Sequence, residues 1–210
     1  MLASINPLGE RARRTRWRRT MAWYVVASTV GGAVSGAVAG AVGLALHTAA
    51  HPSSLVVAGA AVVACLAGLA FDAPLRGLAL PTVHRQVNEN WLARYRGWVY
   101  GSGFGFQLGL GVATIVISAT VYVALLLALL TGSWIGGAVV GATFGLVRAV
   151  PLLAMRRVED PAGIRRVLRQ AAAWAGRARM LALGCLGVVA AVGLVGVVVG
   201  ALCRHCPRTA

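Results

Sequence analysis

Hydrophobic and polar positions fall into long blocks, not into the short alternations of a soluble domain. One apolar run extends from Met21 to about Leu46, a second from about Ser54 to Phe71 and a third from Val99 to Leu130. A fourth runs from Trp134 to Leu153 and a fifth from Met180 to Leu202. Crossing a ~30 Å hydrocarbon core takes about 20 residues of helix at 1.5 Å each, so every block qualifies as a span. The pattern predicts an all-α fold, a polytopic membrane helix bundle of about five spans. It divides the chain into a basic N-terminal segment (1–20), four spans (21–153) with a connection at 72–98, a basic amphipathic segment (154–179), a fifth span (180–202) and a short tail (203–210).

Two of these blocks need further reading. The first apolar run is far longer than the 7–15 residues of a signal-peptide core, and no Ala-x-Ala site closes it, so it reads as an uncleaved first span. The Arg13-Arg14 pair lacks the remainder of a twin-arginine signal. The third run, straight, would measure about 48 Å, too long for one upright span and too short for two with a turn. Charge decides. With five spans and the N-terminus inside, 17 arginines face the cytoplasm and only Arg204 and Arg208 lie outside. Splitting the third run would export seven arginines against the positive-inside rule. It therefore reads as one long or broken helix, with the Gly-dense stretch Gly101–Gly111 as its tilted or unwound start.

Composition agrees with this threading. The chain of 210 residues is 59% hydrophobic and 12% charged, against about 25% charged for a soluble domain. Its 20 basic residues are all arginine, against five acids, giving a net charge of +15. Such a balance also occurs in nucleic-acid-binding proteins. Here the arginines sit in blocks between apolar runs, so membrane orientation accounts for them and no nucleic-acid partner is expected. The Arg, Ala, Gly and Val bias points to a GC-rich bacterial genome and so to the bacterial cytoplasmic membrane.

Within the spans, Gly32, Gly36 and Gly40 share one helix face, as do Gly137, Gly141 and Gly145. Small residues four apart let helix backbones approach closely in lipid, so both triads are expected at packing faces. The segments around them, Val30–Val42 and Ile135–Val147, are similar at an offset of 105 residues. Spans one and four run in opposite directions, so a repeat would be inverted, an arrangement found in secondary transporters. A glycine-lined permeation path is the sharper alternative to packing.

Charged groups at depth are costly unless paired or hydrated. Asp72 ends span two, Arg148 lies late in span four, and Gln107 lies in the inner part of the third stretch. All three fall towards the cytoplasmic side and are expected to lie close together. They form either a substrate or proton site, or a structural ion pair with Arg148 reaching the headgroups.

Asp160-Pro161 resembles a helix start. Ile164, Val167, Leu168 and Ala171 follow at helical spacing, with Arg165, Arg166 and Arg169 on other faces and Trp174 beyond. This predicts a cytoplasmic interfacial helix on anionic lipid headgroups. The segment Arg85–Trp98 places Trp91, Tyr95 and Trp98 at interfacial-helix spacing and reads as a surface anchor or a docking segment. A homo-oligomer or a partner membrane protein is also compatible.

The tail carries Cys203 and Cys206 as C-x-x-C on the outer, oxidising side, open to a disulfide or to thiol-redox work. His47 and His51 lie on the same side. With Cys203, His205 and Cys206 they make up the alternative of a metal site. No cofactor is otherwise implied. Zinc-protease, P-loop and serine-hydrolase motifs are absent from the sequence, so no catalytic residue is assigned.

The stretch from Arg85 to about Pro151, including Arg94-Tyr-Arg-Gly-Trp-Val-Tyr-Gly-Ser-Gly-Phe-Gly-Phe-Gln-Leu-Gly-Leu-Gly-Val112 and Phe144-Gly-Leu-Val-Arg-Ala-Val-Pro-Leu152, resembles uncharacterised actinobacterial multi-pass membrane proteins. It is more distantly similar to the cytochrome c biogenesis transmembrane family of thiol-electron conduits and to LysE-type transporters. The resemblance covers about a third of the chain and implies a transporter-like fold. The conduits carry cysteines in spans one and four. Here Cys65 and Cys185 lie in spans two and five, so that family's redox residues do not transfer. Three functions follow as expectations: a small transporter with a polar site near the cytoplasm, a thiol-redox protein using Cys203 and Cys206, and a non-catalytic membrane subunit that binds a partner.

Overall fold

A computed structural model describes residues 7, 10, 16–72, 95–111, 119–158 and 160–205. Among these there are six α-helices and one 3₁₀ segment, and no strand. The helices are α1 (Trp17–Ala50), α2 (Ser54–Asp72), α3 (Gly97–Gly109), α4 (Thr120–Leu130), α5 (Trp134–Ala149) and α6 (Pro161–His205), with the 3₁₀ segment Val150–Arg157 after α5. Four stretches are long and apolar enough to cross a membrane: Trp17–Ala50, Ser54–Phe71, Trp134–Arg156 and Arg165–Val195. The molecule is a helical membrane protein.

Local chemistry sets the boundaries. α1 begins under Arg16, Arg18 and Arg19, which oppose the positive end of its dipole. Its other end closes on His51 in the left-handed region, whose N–H bonds to the His47 carbonyl, and Ser53 then bonds Val56 N–H to start α2. α4 and α5 are joined by Thr131, Gly132 and Ser133. Gly132 turns with φ 57°, and the Ser133 side chain accepts from Gly136 N–H as the N-cap of α5. Pro151 lacks an N–H, so the chain tightens from α-helix to 3₁₀ after Ala149.

Most of the packing joins α1 to α5 and α3, and a second pairing joins α2 to α6. α4 touches α1, α2 and α5 and so links the two groups. The glycines show how close the first seam is. A Cβ on Gly32 would strike the Gly141 carbonyl and one on Gly141 the Gly32 carbonyl; Gly36 and Gly137 stand in the same reciprocal relation. Gly145 rests on the Ser28 carbonyl and Gly40 on that of Ser133. These contacts make α1 and α5 antiparallel. They also reveal a local two-fold. Residues 105 apart exchange places across the seam, so that Ser28, Gly32, Gly36 and Gly40 correspond to Ser133, Gly137, Gly141 and Gly145.

The described residues of the third apolar stretch form two helices, and both run parallel to α1. Gly101, Gly105 and Gly109 of α3 rest on the carbonyls of Thr20, Tyr24 and Ser28, climbing α1 in the same direction. Leu129, at the end of α4, meets Gly43, and Gly132 meets the His47 ring. Together α3 and α4 thus follow α1 once, from its N-terminal quarter to its C-terminal end. α3 ends at Gly109, and two residues on Gly111, with φ of 78°, leaves the right-handed region.

α6 departs from the sequence expectation. From Pro161 onward the basic amphipathic segment and the fifth apolar run are one unbroken 45-residue helix, roughly 68 Å long. No turn separates Arg179 from Met180. The polar half is an extension of the apolar half along one axis, so it does not lie across the end of the bundle as a separate helix.

Candidate functional site at the helix break

The α1–α3 seam carries a line of polar side chains. Thr20, Tyr24 and Ser28 recur every fourth residue and are all buried. They lie on one side of α1 because four residues make slightly more than one turn. The glycines of α3 admit them, since any Cβ there would push the helices apart. Ser28 Oγ donates to the Gly145 carbonyl at 2.8 Å, tying α1 to α5 at the same level. At the base, Glu10 is fully buried. Its carboxylate accepts from Thr20 Oγ1 at 2.8 Å and from Tyr100 Oη. Beside it lies the main apolar cluster, comprising Met21, Tyr24, Tyr100, Phe104, Ala149, Leu152, Met155 and Val158.

Arg148 occupies the upper end of this line. α5 presents it one turn beyond Gly145, close to Gly111 past the end of α3. A Cβ on Gly111 would lie 3.0 Å from Val121, 3.4 Å from Phe144 and 3.9 Å from Arg148 Nη1. The guanidinium sits 5.6 Å from the centroid of the Phe144 ring, a cation–π distance. The adjacent C-terminal end of α3 is a negative dipole end, which favours the cation. Even so, Nη1 is buried without a hydrogen-bond partner among the described residues. Leaving such a donor unmade costs on the order of 1–3 kcal/mol, more when it is charged. A guanidinium offers only donors, so the complement of this site is an acceptor group.

The residues singled out in the sequence fall in different places. Gln107 is half-buried on α3, one turn before Gly111, and α3 contacts the α5 that carries Arg148. Asp72 is the last residue of α2, which packs on α4 and α6; its side chain lies outside the described residues. Among the described residues, Arg148 lies near Phe144 and Gly111.

On the opposite end, His47 packs on Gly132 and His51 is exposed. Cys203 and His205 are in the last turn of α6, but their side chains, and all of Cys206, lie outside the described residues. Among the described residues no three His, Cys, Asp or Glu side chains group as metal ligands. Cys65 is buried and Cys185 is exposed, and both are free thiols.

Arg165, Arg166, Arg169 and Trp174 are exposed along α6, with Arg177 5.0 Å from the Trp174 ring centroid. Trp23 and Trp98 pair at 6.1 Å near the starts of α1 and α3; Trp91 and most of the 72–98 connection lie outside the described residues. Sequence reasoning missed Glu10, Thr20, Tyr24, Ser28 and Tyr100. Glu10 had a signal, being the lone acid among six arginines, and Thr20, Tyr24 and Ser28 had their four-residue spacing.

No family model, curated protein or solved structure matches the chain.

Proposed function

We propose that this is a small transporter of the bacterial cytoplasmic membrane, with its polar site at Arg148 on the cytoplasmic side. The observation that carries this reading is the burial of Arg148 Nη1, without a partner among the described residues, against the break between α3 and α4. Irregular backbone is tolerated at membrane depth where protein or a cavity surrounds it, and interrupted helices are how transporters build their sites. In this reading α1, α2, α3 with α4, α5 and α6 make five crossings, the N-terminus is inside and the C-terminus outside. The arginine distribution and the parallel course of α3 and α4 along α1 support that threading. Arg165, Arg166 and Arg169 then extend α6 past the inner headgroups, where anionic lipid attracts them.

The test is counterflow in proteoliposomes with a panel of small labelled solutes, comparing wild type with Arg148→Met. Solute exchange in wild type that falls to the protein-free level in a folded Arg148→Met supports the reading. Exchange of no solute, or a variant that loses its fold and nothing else, overturns it in favour of a structural arginine.

A further inference from the structure

We propose that the polar half of α6 and the start of α1 form a binding surface for anionic phospholipid of the inner leaflet. The inference rests on the N-inside threading given above and not on transport. Three observations lead there. First, two arginine runs far apart in the sequence come to one level of the bundle. Val167 of α6 and Trp17 of α1 pack on the same apolar cluster, which includes Met21. Arg18 and Arg19 on α1, and Arg165, Arg166 and Arg169 on α6, stand beside those contacts and are all exposed. α1 turns apolar at Met21, so this is the level at which a span leaves the headgroups.

Second, α6 is uncovered just beyond Val167. Every residue from 168 to 178 is exposed, and among the described residues the helix is buried again first at Ala190. Val167, Ala171, Trp174 and Ala178 recur at helical spacing on one side, and Arg166, Arg169 and Arg177 fall on another. Helices in proteins owe most of their stability to a packed apolar side. Here Leu168 is 38% exposed and Trp174 59%, so three turns of amphipathic helix lack protein cover among the described residues.

Third, chemistry selects the occupant. From Pro161 to His205 the helix contains no acid, so its complement is anionic. A second copy of this chain would set arginine against arginine. The acids nearest this end are engaged within the chain, Glu10 with Thr20 and Tyr100, and Asp160 with the Gly163 N–H. Lipid is favoured over a soluble acidic partner because the surface runs without a break into the apolar half of α6, with Arg177 three residues before Met180. A phospholipid meets both sides at once. Its phosphate accepts from the guanidinium groups, and its acyl chains lie along Leu168 and Trp174. Trp23 and Trp98, paired at 6.1 Å near the same end, supply the aromatic belt expected at that depth.

The experiment uses the full-length protein in a zwitterionic detergent. Thermal unfolding is followed as phosphatidylglycerol, phosphatidylcholine, inorganic phosphate or polyglutamate is added at constant ionic strength. A ligand of the folded state raises the melting temperature by mass action. Phosphatidylglycerol is expected to raise it by about 3 °C or more near saturation, and the other three by about 1 °C or less. The combined variant Arg165→Gln, Arg166→Gln and Arg169→Gln changes exposed positions to another good helix former. Its lipid-free melting point should stay close to wild type, while the rise with phosphatidylglycerol falls to about a third or less.

Trp174→Phe gives a reading independent of stability. Phosphatidylglycerol brominated in its acyl chains should quench tryptophan fluorescence, and Trp174→Phe should remove more of that quenching than of the quenching by brominated phosphatidylcholine. An equal rise with phosphatidylcholine, an undiminished rise in the folded triple variant, or quenching that is indifferent to Trp174 would overturn the proposal. A rise with polyglutamate that matches phosphatidylglycerol would overturn it in favour of a soluble acidic partner, and a matching rise with inorganic phosphate in favour of a free anion. Counterflow with Arg148→Met bears on transport alone, so either reading can fail while the other stands.

Discussion

Gly36 lies against the carbonyl of Gly137, and Gly137 lies against the carbonyl of Gly36. No side chain intervenes, so the two helices are at backbone contact. Attraction there comes from dispersion and Cα–H···O contacts. Gly36→Val should therefore cost about 3 kcal/mol or more, the upper end of overpacking penalties, because a carbonyl cannot rotate away as a side chain can. Gly137→Val should do the same, while Gly59→Ala or Gly184→Ala, which meet open space, should change stability by no more than about 0.5–1 kcal/mol. Melting curves in detergent check all four.

Ser28 bonds the Gly145 carbonyl across the same seam. Ser28→Ala removes that bond with little change in volume. Interhelical hydrogen bonds in membranes contribute about 0.6–1.7 kcal/mol, so a loss in that range is expected. Ser35→Ala, which removes only a bond within α1 to the Gly32 carbonyl, should cost less.

Gly111 combines a positive φ with three neighbours around its missing Cβ. Gly111→Ala strains the backbone and pushes on the Arg148 guanidinium. Expected is a loss of about 1–3 kcal/mol in stability. The neighbouring Gly109→Ala should be worse for folding, since its Cβ would strike the Ser28 carbonyl.

Glu10 fixes the N-terminal segment to the bundle. Glu10→Ala leaves Tyr100 and Thr20 without that acceptor and should cost about 1–3 kcal/mol. Glu10→Gln keeps one acceptor oxygen and should cost less. Limited proteolysis should show the first twenty residues cut sooner in Glu10→Ala than in wild type.

Sidedness is tested by single cysteines placed at Arg18, Thr48 and Thr131 in a chain without its native cysteines. Gly132 packs on His47, so the third apolar stretch ends beside the end of α1. Impermeant maleimide applied to intact cells should label Thr48→Cys and Thr131→Cys, and label Arg18→Cys only after the cells are opened. Labelling of Thr48→Cys without Thr131→Cys in intact cells would refute the single crossing.

Much of the frame is legible in the sequence because lipid imposes it. Apolar length marks the helices, and the glycine triads mark the faces that meet. The break in the third stretch is legible as excess length, but the Gly-dense stretch Gly101–Gly111, read as a tilted or unwound start, is regular helix as far as Gly109. The partners of Arg148 are not legible in the same way. A charge at depth directs attention to an opposite charge such as Asp72, whose side chain lies outside the described residues, whereas the ring that the guanidinium meets is Phe144, one turn earlier on the same helix. Choosing between them requires the helix register. The same holds for Glu10. Its isolation among arginines sets it apart, but nothing local in the sequence shows that it enters the seam to meet Tyr100, ninety residues away. The continuity of α6 follows from the helix-forming composition across Arg177–Met180, where a change of polarity resembles a boundary and no Gly-Pro signal interrupts the backbone.

That continuity has a mechanical meaning. α6 bears on the bundle at Val167, beside the apolar cluster at the base, and at Gly193, against Val62 of α2. These points are 26 residues apart, about 39 Å along a helix. Between them the rod has no joint. The supports at the two ends of this stretch therefore belong to one continuous helix, and a proline placed between them would separate the contact at the base from the contact against α2.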